Sequence, residues 1–511
     1  MHAAPRTRLG LAAGARGCDN PRVTSPQALR LRALNDRPER ADARHVLYWM
    51  TAARRPGWNF ALQRAVRIAE RRKLPLVVLE PLRAGYRWAS PRHHAFVLQG
   101  MRDNAAAFAE RGVAYHAYVE PEPGAGRGLL AALAKDAACV VADDWPCFFL
   151  PRMVEAAARA LDVRVEAVDA AGLVPYRAPD ALFPTAYAFR RWLQKNLRPY
   201  LAEPPLPDPL DGATFPRDAA LPRGIESRWP RASEALLRAD AKALARLPLD
   251  AEVGVVASRI GGHVEGRRVL ADFVRTRLPR YAEERSEPAS GASSGLSPWL
   301  HFGHVSVHEA FAAVTERERW TPAKLAATTA GKKEGYWNLA PSSEAFLDEL
   351  VTWRELGLNF GARRADHDRF ESLPDWARAT LELHAKDARE HVYTRDELEN
   401  ARTHDPLWNA AQRELWREGV IHNYLRMLWG KKVLEWTESP RAALEVLIEL
   451  NNRWALDGRD PNSYSGIFWV FGRYDRPWAP ERKVFGSIRY MSSQNTARKF
   501  DVEPYLARYA T

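Results

Sequence analysis

The sequence predicts a chain in two halves: an α/β domain with a Rossmann-like parallel sheet, then an all-α domain. Short apolar runs alternate with helical stretches between His45 and Ala170, and long helical patterns replace the strand signal after about Gly261. Strands and helices that alternate with short connections are typical of a doubly wound parallel sheet. A proline-rich stretch, residues 202–250, lies between the halves and predicts a long linker that crosses the surface.

Five strands are predicted in the first half, because each is a short apolar run next to a helical stretch. Their sequences are HVLYWM, LPLVVLEPL, VAYHAYVE, ACVVADD and VRVEAVDA. No GxGxxG motif follows the first of them, so a dinucleotide site of the usual Rossmann type is not indicated. We assign residues 41–201 to the α/β domain. Residues 1–40, which begin with an Ala-, Gly- and Arg-rich stretch, are expected to be a disordered tail.

The second half, residues 251–511, is predicted to be a helical domain. Helical patterns recur along it, and no internal repeat is visible. The clearest are HEAFAAVTERER, SEAFLDELVTWREL, DWARATLELHAK, DPLWNAAQRELWREG, NYLRMLWGKKVLEW and PRAALEVLIELNNRW.

The composition is unusual in charge and in tryptophan. Lys and Arg number 75 against 63 Asp and Glu, for a formal net charge of +12. This balance suits a polyanion such as nucleic acid, and a soluble protein from an Arg-rich proteome explains it equally well. The 18 tryptophans suggest base stacking or redox use of the indole, and a large aromatic core is the alternative.

Several classes of protein are not indicated. The three cysteines form no CxxC or Cys/His cluster, so neither a disulfide scaffold nor a zinc site is expected. No run approaches the ~20 apolar residues that a membrane span needs. We expect a cytosolic protein in a reducing setting, with no metal and no membrane contact.

The segment SSGLSPWLHFG is a hydroxyl-rich turn that enters an apolar helix. Its hydroxyls and backbone N–H groups suit a phosphate or pyrophosphate. Ordinary N-capping by serine explains the same pattern. The residues concerned are Ser293, Ser294, Gly295, Leu296 and Ser297.

A second candidate is the helical segment that contains WRELGLNF. Glu349 and Trp353 are four residues apart and therefore share a helical face. An acid and an indole on a face that lines a cavity can hold a flat heterocycle by one hydrogen bond and one stack. A packed tryptophan beside a solvated carboxylate fits the spacing better.

Three tryptophans form a third candidate. Trp429 and Trp436 are seven apart, two turns along one helical face, and Trp408 lies in the preceding predicted helix. Indoles close to van der Waals contact can pass an electron by hopping. An aromatic core stripe is the simpler explanation of the periodicity.

The polar segment NNRWALDGRDPNSYSG is predicted to be a loop. Asp457 and Asp460 lie three apart and could accept hydrogen bonds from ribose hydroxyls or ring N–H groups. Asp-Gly and Asp-Pro turn chemistry accounts for them equally well. A calcium loop is a further competitor, although the full EF-hand ligand set is missing.

Taken together, the order and wording of these motifs match one family. The chain resembles the class II cyclobutane pyrimidine dimer photolyases of the photolyase/cryptochrome family. The matching runs are LSPWLHFGHVS, LDELVTWREL, HDPLWNAAQRELWREG, LRMLWGKKVLEWT, LNNRWALDGRDPNSYSG, VFGSIRYM and RKFDV. The resemblance is continuous from VLYWM onward and covers about nine-tenths of the chain.

The resemblance implies light-dependent repair of cyclobutane pyrimidine dimers in UV-damaged DNA by electron transfer from FAD, and an antenna chromophore of the deazaflavin type or another on the α/β domain. It assigns FAD contacts to the hydroxyl-rich turn Ser293–Ser297, here called the serine loop, and to Tyr281, Arg354, Asn451, Asp457 and Asp460. It assigns the lesion pocket to Glu349, Trp353, Tyr393, Met427 and Trp469, a DNA contact to Arg489, and electron transfer to Trp408, Trp429 and Trp436.

This sequence departs from the family wording at a few positions. Ser463 stands where Gly is usual and Leu428 where Tyr is usual. Ser492, Ser493 and Gln494 replace an NYAG-like stretch. The family's RDQR-like motif is reduced to ARRP, residues 53–56, which gives the antenna site poor support.

Two rival functions also fit parts of the sequence. One is a cryptochrome-like blue-light photoreceptor that keeps FAD without repair. Many such receptors carry a long C-terminal extension, and here the sequence stops eleven residues after Phe500, which favours repair. The other is a Trp-rich helical DNA-binding protein without flavin. A monomer is expected, in the cytoplasm and nucleoid-associated if the source is bacterial.

Overall fold

The computed structural model describes residues 25–217 and 219–510. Cys18 and most of the expected disordered tail, residues 1–24, lie outside the described residues. The rest of that expectation is wrong. Pro26–Arg30 form a 3-10 helix and Leu31–Ala33 a strand. The physical reason is Arg30, whose buried guanidinium donates to the carbonyl oxygens of residues 169, 172 and 173 and so anchors a segment without apolar periodicity.

A six-stranded sheet forms the first half. Its strands in chain order are β1 (Leu31–Ala33), β2 (His45–Trp49), β3 (Leu76–Leu82), β4 (Ala114–Val119), β5 (Ala137–Asp143) and β6 (Val165–Val168). Across the sheet the order is β1-β6-β5-β2-β3-β4. β2 to β6 pair in parallel, and β1 joins β6 antiparallel. The predicted doubly wound sheet is confirmed. It has one additional antiparallel edge strand, β1, which is not predicted because no apolar run marks it in the sequence.

Helices cover both faces of this sheet. They are α1 (Phe60–Arg72), α2 (Pro91–Glu110), α3 (Leu129–Ala134) and α4 (Leu150–Ala160). In the central strand, Val46 and Tyr48 enter one apolar core while Leu47 and Trp49 enter the other. Burial on both sides explains why these strands appear in the sequence as continuous apolar runs.

The proline-rich stretch between the halves was predicted to be a surface linker, but it packs against the α/β domain. It contains three single-turn helices, α6 (Ile225–Arg228), α7 (Glu234–Leu237) and α8 (Ala241–Leu244). Phe215 and Leu237 are buried in the core on one face of the sheet, and Trp229 in the core on the other. The apolar residues scattered among the prolines therefore hold the segment against the α/β domain.

Helix α5 (Ala186–Asn196) packs with the second half of the chain, although the predicted boundary after residue 201 assigned it to the first. Phe189 and Leu193 are buried in the two cores of the helical half. The Arg190 guanidinium donates to both carboxylate oxygens of Asp348 at 2.6 and 2.9 Å. Burial of its apolar face, together with this ion pair, attaches α5 to the helical half.

The helical half contains fourteen further α-helices within the described residues. They are α9 (His263–Asp272), α10 (Tyr281–Glu284), α11 (Ser297–His301), α12 (Val307–Arg317), α13 (Pro341–Leu347), α14 (Arg354–Arg363), α15 (Asp375–Leu383), α16 (Arg395–Glu399), α17 (Pro406–Glu418), α18 (Asn423–Trp436), α19 (Pro440–Trp454), α20 (Pro461–Val470), α21 (Ser493–Lys499) and α22 (Glu503–Arg508). Between α13 and α14 the backbone widens into a π-helix, Asp348–Trp353. Such wide turns often occur at functional sites.

The two halves contact each other closely at glycines. A Cβ at Gly261 would lie 1.8 Å from the carbonyl oxygen of Phe96, and one at Gly303 would lie 1.8 Å from that of Ala52. Arg92 of α2 also crosses the interface, and its guanidinium donates to the carbonyl oxygens of Trp416 and Trp454. The interface therefore requires backbone contact at two positions where only glycine fits.

Candidate functional site

A cavity of about 1770 Å³ opens in the helical half. Its walls come from the π-helix, from α11, α18, α19 and α20, and from the segments 285–297 and 474–491, and the start of α5 reaches its rim. The predicted residues that line it are Tyr281, Ser293, Ser294, Gly295, Leu296, Ser297, Glu349, Trp353, Arg354, Met427, Trp429, Asn451, Asp457, Asp460, Trp469 and Arg489. Three predicted residues, Tyr393, Trp408 and Trp436, do not line it.

The serine loop forms one wall, with cations beside it. Gly295 has a positive φ of +66°, and a Cβ there would lie 3.8 Å from a guanidinium nitrogen of Arg259 and 4.0 Å from one of Arg277. Arg277 also donates to the carbonyl oxygen of Ser293 at 2.9 Å. Hydroxyls, backbone N–H groups and two guanidinium groups at one wall form a donor set suited to a phosphate or pyrophosphate.

Asp457 and Asp460 lie on the cavity wall, each with a basic partner. Arg426 donates to both carboxylate oxygens of Asp457 at 2.9 and 3.2 Å, and His301 lies 3.2 Å from Asp460. Burial works to raise the pKa of Asp457, yet Arg426 and a hydrogen bond from Ser297 hold that pKa below its ordinary value. A charged acceptor is therefore maintained beside the serine loop.

Asn451 is buried in α19 with its amide orientation set by two neighbours. Its Nδ2 donates to Ser463 Oγ at 2.6 Å and to Asn452 Oδ1 at 3.2 Å. In the described part of the chain no group donates to its Oδ1. The side chain can therefore present an acceptor to a ring N–H in the cavity. Ser463, which departs from the family wording, contributes directly to this orientation.

The π-helix brings an acid and an indole to the cavity wall. Glu349 pairs with Arg285, and half-buried Trp353 follows one π-turn later. Burial of Tyr281 raises its pKa, with the Glu349 charge as the next cause, so its phenol stays protonated. Glu349 and Trp353 both line the cavity, which is one of the two alternatives that their spacing left open, and they do so on a π-helix and not on an α-helix.

Trp469 forms a second aromatic wall and is flanked by cations. The Lys431 ammonium lies 4.8 Å and the Arg489 guanidinium 5.9 Å from its ring centroid. Arg489 is held by Asp475 at 2.7 and 3.1 Å and lies 4.0 Å from the Trp478 ring. Burial lowers the pKa of Lys431 to about 7, the Asp475 charge raises it and that of Arg489 lowers it further.

Tyr393 is a correction to the predicted lesion pocket. Its ring packs edge-on against Trp436 at 5.6 Å, and its hydroxyl lies 2.6 Å from His404 Nδ1. Position 393 follows α15 on a loop that returns to the end of α18, away from the cavity. No local pattern in the sequence encodes that return.

The three tryptophans form a connected series in the order Trp429, Trp408, Trp436. Trp429 and Trp408 stack with centroids 6.4 Å apart at 7°, and Trp408 meets Trp436 at 5.8 Å. Trp408 of α17 thus bridges two residues that lie two turns apart on α18. All three are buried, and Trp429 lines the cavity. The arrangement is suited to electron hopping between the cavity and the end of α18.

Sequence reasoning missed the cations of the site. Arg259, Arg277, Arg285, Arg426 and Lys431 line it or lie directly behind its wall. Among 75 Lys and Arg residues, nothing in the spacing of Arg259, Arg277, Arg426 and Lys431 distinguishes these four. Arg285 is the exception, since it ends the LPRYAEER run that contains Tyr281.

Comparison with known proteins explains this combination of features. The deoxyribodipyrimidine photo-lyase of Methanothermobacter thermautotrophicus is 34% identical over 485 residues, which cover 94% of this chain and 98% of that protein. The chain belongs to the photolyase family. This relative confirms the enzyme identified from the sequence, a deoxyribodipyrimidine photo-lyase. A separate comparison with protein-family models found no match to the chain.

Solved structures show the same fold as this photolyase. A bacterial class III photolyase from Agrobacterium tumefaciens has a TM-score of 0.65 at 16% identity and covers 91% of this chain and 86% of its own. A cryptochrome from Synechocystis has a TM-score of 0.64 at 16% identity, with 91% and 88% covered. At this identity the likeness supports the fold alone.

Two further observations concern the described residues of the photolyase. None of their helices is long and apolar enough to cross a bilayer. No group of three or more His, Cys, Asp or Glu side chains among them is arranged to hold a metal ion.

Proposed function

We propose that this photolyase is a class II enzyme that repairs cyclobutane pyrimidine dimers in UV-damaged DNA, using light and FAD. The observation that carries the proposal is that three groups of predicted site residues line the same cavity. A serine loop with arginines, an aromatic pair with a carboxylate, and the first of three indoles in series all face it. Its volume of about 1770 Å³ exceeds the ~300–1,000 Å³ of ordinary ligand pockets, which leaves room for a cofactor and for the two linked bases of an extruded dimer.

The residues present fit FAD. The buried Nε atoms of Arg277 and Arg426, both on the cavity wall, have no partner in the described chain. Ser293–Ser297 with Arg259 and Arg277 would hold the pyrophosphate. Asp457 and Asp460 would accept from ribose or ring N–H groups, and Arg354 and Tyr281 would add further contacts. Bound FAD supplies the light-driven electron that opens the cyclobutane ring and recovers that electron afterwards.

The chain's own residues would select and hold the lesion. A dimer stacks and pairs badly, so extruding it costs less free energy than extruding intact thymines. Trp353 and Trp469 would stack against its two sides, and Glu349 would hydrogen-bond to it, with Arg285 fixing the carboxylate. Arg489 places positive charge beside Trp469, which favours a lesion that carries an added electron.

An antenna chromophore on the α/β domain, deazaflavin or other, remains a prediction. Arg54 and Arg55 of the reduced ARRP motif are engaged by other groups. Arg54 donates to Glu80 at 2.8 Å and Arg55 to the carbonyl oxygen of Gly303 at 2.8 Å. The Ala53–Pro56 motif therefore holds the domains together and adds no support for a chromophore.

A cryptochrome-like photoreceptor is the alternative, since a cryptochrome shares this fold. Such a receptor would keep the flavin end of the cavity but would not need two indoles and a carboxylate at its mouth. The presence of Trp353, Trp469 and Glu349 together favours repair.

Native purification tests the cofactor part of the proposal. The protein is expected to retain non-covalent FAD, released on denaturation and identified by its absorption and chromatography. Serine-loop variants such as Ser293→Ala with Ser294→Ala should retain less. Absence of flavin both after purification and after reconstitution with FAD would refute the proposal.

A further inference from the structure

Two consecutive asparagines of α19 are hydrogen-bonded to two consecutive side chains of α20. Asn451 Nδ2 donates to Ser463 Oγ at 2.6 Å, and Asn452 Nδ2 donates to the Tyr464 hydroxyl at 3.1 Å. Both asparagines are buried, and Asn451 and Ser463 line the cavity. These two hydrogen bonds join the helices directly at the cavity wall.

A backbone N–H determines the orientation of the Asn452 amide. Arg459, with a φ of +67°, donates its N–H to Asn452 Oδ1 at 2.8 Å. A backbone N–H can only donate, so the amide atom that it meets is the oxygen. Gly458 holds this turn against α19, since a Cβ there would lie 2.9 Å from Asn452 Cα. The Asn452 oxygen is therefore fixed on the side that faces Asn451.

The orientation of Asn451 follows from that of Asn452. The Asn451 amide atom that lies 3.2 Å from Asn452 Oδ1 has to be a donor, so it is Nδ2. Ser463 accepts the second hydrogen of Nδ2, which leaves only the acceptor Oδ1 for the cavity. Turning the amide over would lose the hydrogen bond to Asn452 and bring two oxygens together, at a cost in free energy.

Ser463 adds a donor beside that acceptor. A hydroxyl that accepts from an amide still has one hydrogen to donate. Among the described residues no group accepts that hydrogen, and the half-buried Ser463 side chain lines the cavity. A glycine at position 463 would offer neither the acceptor for Asn451 nor the donor. The wall at this point therefore presents one acceptor, Asn451 Oδ1, next to one donor, Ser463 Oγ.

We infer that Ser463 is a positioning residue that makes this wall complementary to the N5–H and C4 carbonyl edge of reduced flavin. That edge presents one N–H beside one carbonyl, which matches one acceptor beside one donor. The imide edge of the ring has an N–H between two carbonyls and requires two donors. In oxidised flavin N5 carries no hydrogen, and its lone pair would face Asn451 Oδ1. The wall therefore binds reduced flavin more tightly than oxidised flavin. The inference rests on the proposed function and deepens its cofactor site.

The test removes the Ser463 hydroxyl and keeps the helix. Ser463→Ala frees one Asn451 Nδ2 hydrogen, which becomes available to the unprotonated N5 of oxidised flavin, and alanine is a better helix former than serine. Ser463→Thr retains the hydroxyl. The matched control is Ser465→Ala, on the same helix and the same cavity. The Ser465 hydroxyl donates to the carbonyl oxygen of Asn462 at 3.1 Å and not to Asn451.

The readout is the midpoint potential of the bound flavin, measured against a reference dye during reduction by dithionite. Dithionite supplies two electrons, and water supplies the proton that forms the N5–H bond. In Ser463→Ala the affinity for reduced FAD should fall about tenfold more than the affinity for oxidised FAD, the effect of roughly one hydrogen bond. For a two-electron couple this lowers the potential by about 30 mV.

Ser463→Thr and Ser465→Ala should keep the wild-type potential. An unchanged or raised potential in Ser463→Ala would overturn the inference, and so would an affinity for oxidised FAD that falls as much as that for reduced FAD. An equal fall in Ser465→Ala, or the alanine potential in Ser463→Thr, would overturn it as well. A wild-type protein that bound no flavin would instead refute the proposed function, so the two failures are distinguishable.

Discussion

At the scale of single residues, Trp469 most clearly separates lesion binding from photoreduction of the cofactor. It lies on the cavity wall beside Lys431 and Arg489, and among the described residues its ring stacks on none of the three tryptophans of α17 and α18. A side chain in this position can hold a lesion without taking part in reduction of the cofactor.

Replacing Trp469 by alanine should therefore weaken binding of dimer-containing DNA by about 1–3 kcal/mol, the value of one base–aromatic stack. Reduction of the oxidised cofactor by light should proceed at the wild-type rate. Titration of a dimer-containing duplex gives the first quantity and transient absorption the second. Unchanged affinity in Trp469→Ala would move the lesion pocket elsewhere.

At the scale of elements, helices α17 and α18 make the tryptophan series. Trp408 inserts between Trp429 and Trp436, and its indole N–H donates to the carbonyl oxygen of Trp429 at 3.0 Å. A core stripe on one helix does not require this bridge. The contact across the two helices gives the series its continuity.

Replacing Trp429 by phenylalanine should block or strongly slow photoreduction of the oxidised flavin. Phenylalanine keeps much of the packing volume and is far harder to oxidise. Repair by already reduced protein should remain nearly intact, because that electron does not pass along the series. If the Trp429→Phe variant photoreduced its flavin at the wild-type rate, the three indoles would have only a packing role.

The predictability of these elements follows from how local their causes are. The five parallel strands are buried on both faces, so each appears as an apolar run. Strand β1 is held by backbone pairing with β6 and by Arg30, and neither leaves a pattern in three residues. The π-helix at Asp348–Trp353 looks like ordinary helix in sequence because only its backbone differs.

In the candidate site too, features with a local cause could be predicted and features created by the fold could not. The serine loop and Asp457 with Asp460 are compact motifs, and the cavity contains all of them. Arg426 is separated from Asp457 by helix α19, so only the fold pairs them. Tyr393 was misplaced because the loop that carries it returns to Trp436 and not to the cavity.

At the scale of the whole molecule, two buried histidines lie where the halves meet. The His304 ring stacks on Phe96 at 5.3 Å, and His308 meets Phe60 at 5.4 Å. Burial, and then nearby arginines such as Arg54 for His304 and Arg30 for His308, lower both pKa values well below the ordinary value. Both rings are therefore neutral in the folded protein.

Stability should accordingly fall as the pH drops below about 6.5, where histidines of the unfolded chain take up protons that the folded interface cannot accept. Above that pH neither state binds the proton and the contribution is fully present. Each histidine adds about 1.4 kcal/mol per pH unit to the slope. Urea unfolding of wild type and His308→Leu at about pH 7.5 and about pH 5.5 measures it. An equal fall in both proteins would contradict this origin.

The central claim is that one cavity joins a flavin site to a lesion pocket for repair. The most direct test is a thymine-dimer oligonucleotide incubated with the flavin-loaded, reduced protein, in light and in darkness, with product followed by chromatography. The account predicts intact thymines in the light, none in the dark, and little product with Trp469→Ala at limiting DNA. Binding of flavin without any light-dependent loss of the dimer would contradict it and leave the photoreceptor alternative.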